Sequence, residues 1–129
     1  MQVTQDILIV DDDVAIVEFM TEALTDEGYS VRSTHDGEGA LAEIATFPPA
    51  LVLLDLHLQG MPGAELLERL HSKGCSTLPV VLMTADLTAA QELTAQGKAN
   101  LVFLPKPFDL DDLFNLVAQY VPPHRTPPE

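Results

Sequence analysis

Four apolar runs in this chain stop abruptly on groups that carry charge or a hydroxyl. Ile7-Leu8-Ile9-Val10 ends on Asp11, Asp12 and Asp13; Leu51-Val52-Leu53-Leu54 ends on Asp55; Val80-Val81-Leu82-Met83 ends on Thr84; and Leu101-Val102-Phe103-Leu104 stops just before Lys106. A fully apolar run reads as a strand buried on both faces of a parallel sheet. In open α/β sheets, chemistry collects at the carboxyl ends of such strands. An acid cluster, a lone acid, a hydroxyl and an ammonium together meet the needs of magnesium-assisted phosphoryl transfer to aspartate. Asp55 is the candidate nucleophile, attacking as a carboxylate and holding the phosphoryl group as an acyl phosphate. Because the transition state spreads charge over the phosphoryl oxygens, magnesium and Lys106 supply positive charge and Thr84 a hydrogen bond, while the small Ala85 leaves room. Singly, each residue has a plainer explanation: acids favour helix starts, strand-end threonines satisfy backbone, and most lysines are merely exposed. The signal lies in the ordered set.

The elements that must position these groups alternate. Apolar runs at 7–10, 29–33, 51–54, 80–83 and 101–104 are each followed by a helix-period segment, at 14–26, 39–47, 64–72, 88–96 and 110–120. Ile16, Met20, Ala23 and Leu24 share one face of the first helix, and Leu41, Ile44 and Ala45 repeat the pattern in the second. Strand–helix alternation predicts an α/β, doubly wound, five-stranded parallel sheet with right-handed crossovers, flavodoxin-like, in the order 2-1-3-4-5. Ser30, Arg32 and Thr34 make the second strand the least apolar, which suits an edge. Gly28 stops the first helix, and Pro48-Pro49 ends the second.

With these residues in that order, the segment from Ile7 to Tyr120 resembles the receiver domain of bacterial two-component response regulators. The matching pieces are Val10-Asp11-Asp12, Leu54-Asp55-Leu56, Thr84-Ala85 and Lys106-Pro107-Phe108. The resemblance implies that Asp55 is the phosphoacceptor. It also implies that Mg2+ is held directly by Asp12, Asp55 and the backbone carbonyl of His57, with Asp11 reaching it through water. Asp13 is left to cap the first helix. It further implies a cis Lys106-Pro107 bond that aims the ammonium at Asp55. Phe103 would join Thr84 as a switch residue, whereas by composition alone it is an ordinary core aromatic. The donor would be a sensor histidine kinase or phosphotransfer protein, docking near Asp55 through the first helix, where Ile16, Val17, Met20 and Leu24 are available. The output would be a downstream protein or a homodimer, reached through the fourth helix, fifth strand and fifth helix.

Composition bounds the rest. At 129 residues the chain is expected to be a single receiver domain over residues 1–121, of the stand-alone type, with a proline-rich tail or linker stub at 122–129. A net charge of −14, from 20 acids against 6 bases, disfavours direct nucleic-acid binding. No apolar run approaches a membrane span and the start has no basic signal-like stretch, so a cytoplasmic setting without membrane insertion is the expectation. Cys75 is a plain thiol, and His57, His35, His71 and His124 are solvated side chains without metal-site spacing.

The chain departs from the family pattern where Gln59 replaces the usual proline after the phosphoacceptor, where Pro62 replaces the usual acid before Gly63, and at Gly97-Lys98-Ala99-Asn100, where the customary glycine spacing is lost. Asp86 is expected to add negative charge near the phosphoryl group. Three competing readings carry less. Gly37-Glu38-Gly39-Ala40-Leu41-Ala42 fits a dinucleotide fingerprint formally, but Asp36 and Glu38 would face the pyrophosphate. A phosphohydrolase with an aspartate nucleophile would want a second acid where His57 stands. A receiver-like adaptor that is never phosphorylated would not need the complete set of Asp11, Asp12, Asp55, Thr84 and Lys106. The chain is thus read as a signalling phosphoacceptor, not an enzyme acting on a separate substrate, with a phosphorelay intermediate or phosphate sink as the alternative.

Overall fold

Every apolar run becomes a strand and every helix-period segment a helix in the computed structural model, which describes residues 6–74, 77–95 and 101–121. In chain order these are β1 (Asp6–Val10), α1 (Val14–Asp26), β2 (Ser30–Thr34), α2 (Gly37–Thr46), β3 (Leu51–Asp55), α3 (Gly63–Ser72), β4 (Val80–Thr84), α4 (Leu87–Ala95), β5 (Leu101–Pro105) and α5 (Leu110–Tyr120). Cys75, Gln96, the 97–100 segment and the tail from Pro122, with His124, lie outside the described residues. The strands are parallel and ordered β2-β1-β3-β4-β5.

Strand alternation divides the interior into two cores. Leu8, Val10, Val52, Leu54, Val80 and Leu82 face α2 and α3, packing on Ala40, Ile44, Leu66 and Leu70. Ile7, Ile9, Leu51, Leu53, Val81 and Met83 face α1 and α5, packing on Met20, Leu24, Leu113 and Val117. β1, β3 and β4 are buried along their whole length, whereas β2 has only exposed and half-buried residues, as suits an edge. Gly28, at φ +98°, ends the first helical run in the left-handed conformation that glycine adopts without strain.

One expectation needs correction. The inner face of α2 is Gly37, Ala40, Leu41 and Ile44, and Ala45 is exposed. Asp36 caps this helix by accepting from the Gly39 N–H at 2.6 Å, so it begins two residues earlier than its periodicity suggested and its buried stripe shifts toward the start. Arg32, on the edge strand β2, is tied to its neighbours. Its Nε donates to Asp6 Oδ2 at 2.6 Å, Nη1 donates to Glu43 Oε1 at 2.8 Å, Nη2 donates to the Phe47 carbonyl, and the guanidinium lies 5.2 Å from the Phe47 ring centroid.

This network joins β1, β2 and α2 at the amino end of the sheet. The Asp6 side chain is 7% exposed and its Oδ1 makes no hydrogen bond, so loss of Arg32 would leave a buried carboxylate without a counter-ion. Arg32→Ala is therefore expected to lower unfolding stability by about 2 kcal/mol in urea titration, with Asp6→Asn/Arg32→Met recovering part of the loss. A single variant as stable as the parent would show that the network contributes nothing net.

Candidate functional site

The register fixes which strand ends meet. Val10 pairs with Leu54, so Asp11 and Asp55 occupy the next rung together; Asp55 pairs with Met83, and Thr84 with Pro105, which brings Lys106 one step beyond. Asp11, Asp12 and Asp55 each offer an oxygen, and these oxygens all lie within 4.8 Å of one another. Asp11 is 1% exposed. Its Oδ1 accepts from the Asp13 N–H at 2.9 Å, while its buried Oδ2 makes no hydrogen bond. Asp55 Oδ1 accepts from the His57 N–H at 3.2 Å, and Asp12 Oδ2 accepts from the Gln59 N–H at 3.2 Å. Asp13 points away from the cluster and caps α1, accepting from Ala15 and Ile16 at 3.1 and 3.3 Å.

Lys106 completes the group from the other side. Its N–H donates to the Thr84 carbonyl at 2.8 Å, the Lys106-Pro107 peptide is cis, and Nζ stands 3.6 Å from Asp11 Oδ2 and 3.7 Å from Asp55 Oδ1. Three carboxylates and one ammonium leave two negative charges at this spot. Burial pushes the Asp11 carboxyl above its ordinary range; the Asp13 N–H opposes that, and Asp55 adds repulsion that Lys106 partly offsets. A crowded set of hard oxygens, one of them buried and unpartnered, with two charges in excess, fits a small divalent cation such as Mg2+.

The comparisons with known proteins agree with this geometry. The family described as Response regulator receiver domain matches residues 7–118. The chain belongs to that family. Response regulator MprA of Mycobacterium avium (strain 104) is 35% identical over 123 residues, which are 95% of this chain and 53% of that protein. The nitrogen assimilation regulatory protein NtrX of Azorhizobium caulinodans is 40% identical over 110 residues, 84% of this chain and 24% of that protein. This receiver domain thus spans about half the length, or less, of these curated relatives. Among solved structures, the receiver domain of NtrX from Brucella abortus superposes with a TM-score of 0.78 at 35% identity, covering 89% of this chain and 97% of that one. The chemotaxis response regulator CheY4 of Vibrio cholerae shares the fold, with a TM-score of 0.81 at 22% identity, covering 92% of this chain and all of that one.

As a receiver of two-component signalling, the chain departs from expectation mainly in the loops around the acids. Asp86 does not direct its carboxylate only at the site. Its Oδ1 accepts from the Ala89 N–H at 3.0 Å at the start of α4, and its Oδ2 lies 3.9 Å from His57 Nε2. His57 is exposed, as expected, but faces this acid. Thr84 is buried, and its Oγ1 accepts from the Asp86 N–H at 2.9 Å. Phe103 is half-buried against the α2–α3 core, on the same side of the sheet as Thr84 by strand alternation. At the formal dinucleotide fingerprint, the Asp36 carboxylate already takes the Gly39 N–H, leaving that helix start occupied by the protein's own anion.

Next to the acids, Ile16, Phe19, Met20, Ala85, Lys106, Pro107 and Phe108 line an apolar hollow of about 380 Å³. Of the α1 residues expected to be available for docking, Met20 and Leu24 are fully buried and Ile16 and Val17 half-buried; the large apolar residues that α1 exposes are Val14, at 66%, and Phe19, at 56%, and of these Phe19 lines the hollow. Sequence reasoning overlooked Phe19 because it falls outside the helix stripe that packs on the sheet.

The Asp11 shift has a pH consequence. Since the folded value lies above the ordinary 3.8, the cost is absent below that value, grows as pH rises through the interval, and is complete above the folded value. Asp11→Asn keeps an oxygen for the Asp13 N–H and should raise the Tm of the metal-free protein near neutral pH. The advantage should fade as pH falls toward the ordinary carboxylate value. An equal gain at both ends would mean that its source is not the buried charge.

Proposed function

We propose that Asp55 is the phosphoacceptor of this receiver, taking a phosphoryl group from a phosphohistidine on a sensor histidine kinase or phosphotransfer protein and so switching a protein-interaction surface. The observation that carries the reading is the placement of the Asp55 carboxylate between two other acids and the Lys106 ammonium, at 3.7 Å. Asp12, Asp55 and the His57 carbonyl would hold Mg2+, with Asp11 through water; when bound, the ion supplies positive charge for the phosphoryl oxygens. A carboxylate oxygen of Asp55 forms the new bond to phosphorus as the bond to the donor imidazole nitrogen breaks. Lys106 neutralises charge gathering on the phosphoryl group. Thr84, whose Oγ1 at present only accepts, has a hydroxyl proton to donate, and Ala85 leaves space beside it.

In this reading the protein catalyses only its own phosphorylation and dephosphorylation and turns over no separate substrate. The α1 face with Phe19 and the adjoining apolar hollow supports docking of the phosphodonor beside Asp55. The output passes through Thr84 and Phe103 to α4, β5 and α5, toward a downstream protein or a second copy of the chain. A charge of −14 speaks against direct nucleic-acid contact, and no helix among the described residues is long and apolar enough to cross a membrane. These features suit work in the cytoplasm.

Acetyl phosphate with Mg2+ is expected to add one phosphoryl group by mass, and Asp55→Ala to abolish the addition; no addition to the parent would leave a non-phosphorylated adaptor. Beryllofluoride, an acyl-phosphate mimic, should shift amide resonances around Asp55 and through α4, β5 and α5. Shifts confined to the acid loops, with dimerisation and partner binding unaltered, would instead mark a phosphate sink or relay intermediate.

A further inference from the structure

The loop between β3 and α3 alternates its side chains. Leu56 and Leu58 are buried, whereas His57 and Gln59 are exposed, and the main-chain N–H groups of the two exposed residues reach back to the acids. The His57 N–H donates to Asp55, and the Gln59 N–H donates to Asp12 Oδ2 at 3.2 Å. We propose that Gln59 is a positioning residue of the cation site, acting through its main-chain N–H to hold the Asp12 carboxylate toward Asp11 and Asp55. The inference rests on the reading that the three acids hold a divalent cation.

Asp12 is only half-buried, so its side chain must be ordered before it can serve as a ligand. A donor that orders it in advance removes that cost from binding. The bond does not use up the ligand, because an ionised carboxylate has about four lone-pair sites and one N–H takes one of them. Nor is the donor itself loose. Leu56, Leu58 and Met61 are anchored in the core, the Gly63 N–H donates to the Leu56 carbonyl at 3.0 Å, and Gly60 turns the chain at φ +83° directly after Gln59. Met61 in turn packs so closely on Gly37 that a Cβ added there would lie 2.6 Å from its sulfur. The N–H is thus held in place by buried contacts on both sides. The residue type matters in one respect: proline, usual at this position in the family, has no N–H to give, and Gln59 has one.

Mg2+ titration of the full chain by calorimetry tests this. Gln59→Pro deletes the donor and should weaken Mg2+ binding about fivefold, while Gln59→Ala keeps the N–H and should restore the parental affinity. A second measurement needs neither metal nor a proline: exchange of the Gln59 amide should be about tenfold faster in Asp12→Ala than in the parent. Parental Mg2+ affinity in folded Gln59→Pro, an equal loss in Gln59→Ala, or unchanged amide exchange in Asp12→Ala would each overturn the positioning role. A parent chain that binds no Mg2+ would overturn the cation site itself, a separate failure that the metal-free exchange measurement distinguishes.

Discussion

Two uncompensated negative charges at the carboxyl end of the sheet set the terms for the rest of this molecule. Asp11 and Asp55 share a rung because Val10 pairs with Leu54, so they cannot separate without breaking the β1–β3 ladder. Those strands are buried along their whole length, between two apolar cores. The cores therefore hold the acids together, and the Asp11 carboxyl is raised first by its burial and then by the neighbouring Asp55 charge. A fold that merely sought stability would have replaced one of these acids. Keeping them makes the folded state responsive to whatever brings positive charge to that spot.

The same alternation that makes two cores also separates the site into two parts. Asp11 and Asp55 continue the rows of Ile9 and Leu53, which face α1 and α5, and Lys106 continues that of Leu104. Thr84 continues the row of Leu82, and Phe103 sits opposite Leu82, so these two belong to the other face. The charged groups therefore stand on one side of the sheet and a hydroxyl and an aromatic on the other, joined at the ends of β4 and β5. The Lys106 N–H links the two by a main-chain hydrogen bond to the Thr84 carbonyl, 2.8 Å long. In the proposed switch, this pair is the contact through which a displacement at the acids would reach α4.

Most of this was legible in the sequence because it depends on patterns with short range. Fully apolar runs ending at or near Asp11, Asp55, Thr84 and Lys106 marked the strands and the end of the sheet where these groups meet, and the α1 and α5 boundaries agree at both termini with helical periodicity. What was not legible depends on contacts between segments far apart in the chain. Arg32 lies on the edge strand as expected, but its network was not visible because its partners Asp6 and Glu43 come from a neighbouring strand and helix. Asp86 looked like a charge at the site because composition does not reveal that a carboxylate is turned to the start of the following helix. Gln59 was visible as a departure from the family, but the effect of that departure lies in its backbone and in Asp12, 47 residues away.

The two cations that meet acids across the sheet show why one end is structure and the other chemistry. Arg32 brings a planar fork that satisfies Asp6, Glu43 and a carbonyl at once, at distances of 2.6 and 2.8 Å to the two acids. There one cation hydrogen-bonds both acids directly, with one negative charge left over and Asp6 Oδ1 without a hydrogen bond. Lys106 brings a single point charge on a flexible stem, 3.6 and 3.7 Å from two carboxylates and short of a hydrogen bond to either. An arginine there would clamp Asp11 and Asp55 in bidentate fashion and consume the oxygens that a cation and a phosphoryl group must share. Lysine attracts without saturating, so the acid end keeps both its excess charge and its free lone pairs. In the proposed role, Asp55 would owe its reactivity to this incomplete compensation as much as to the carboxylate itself.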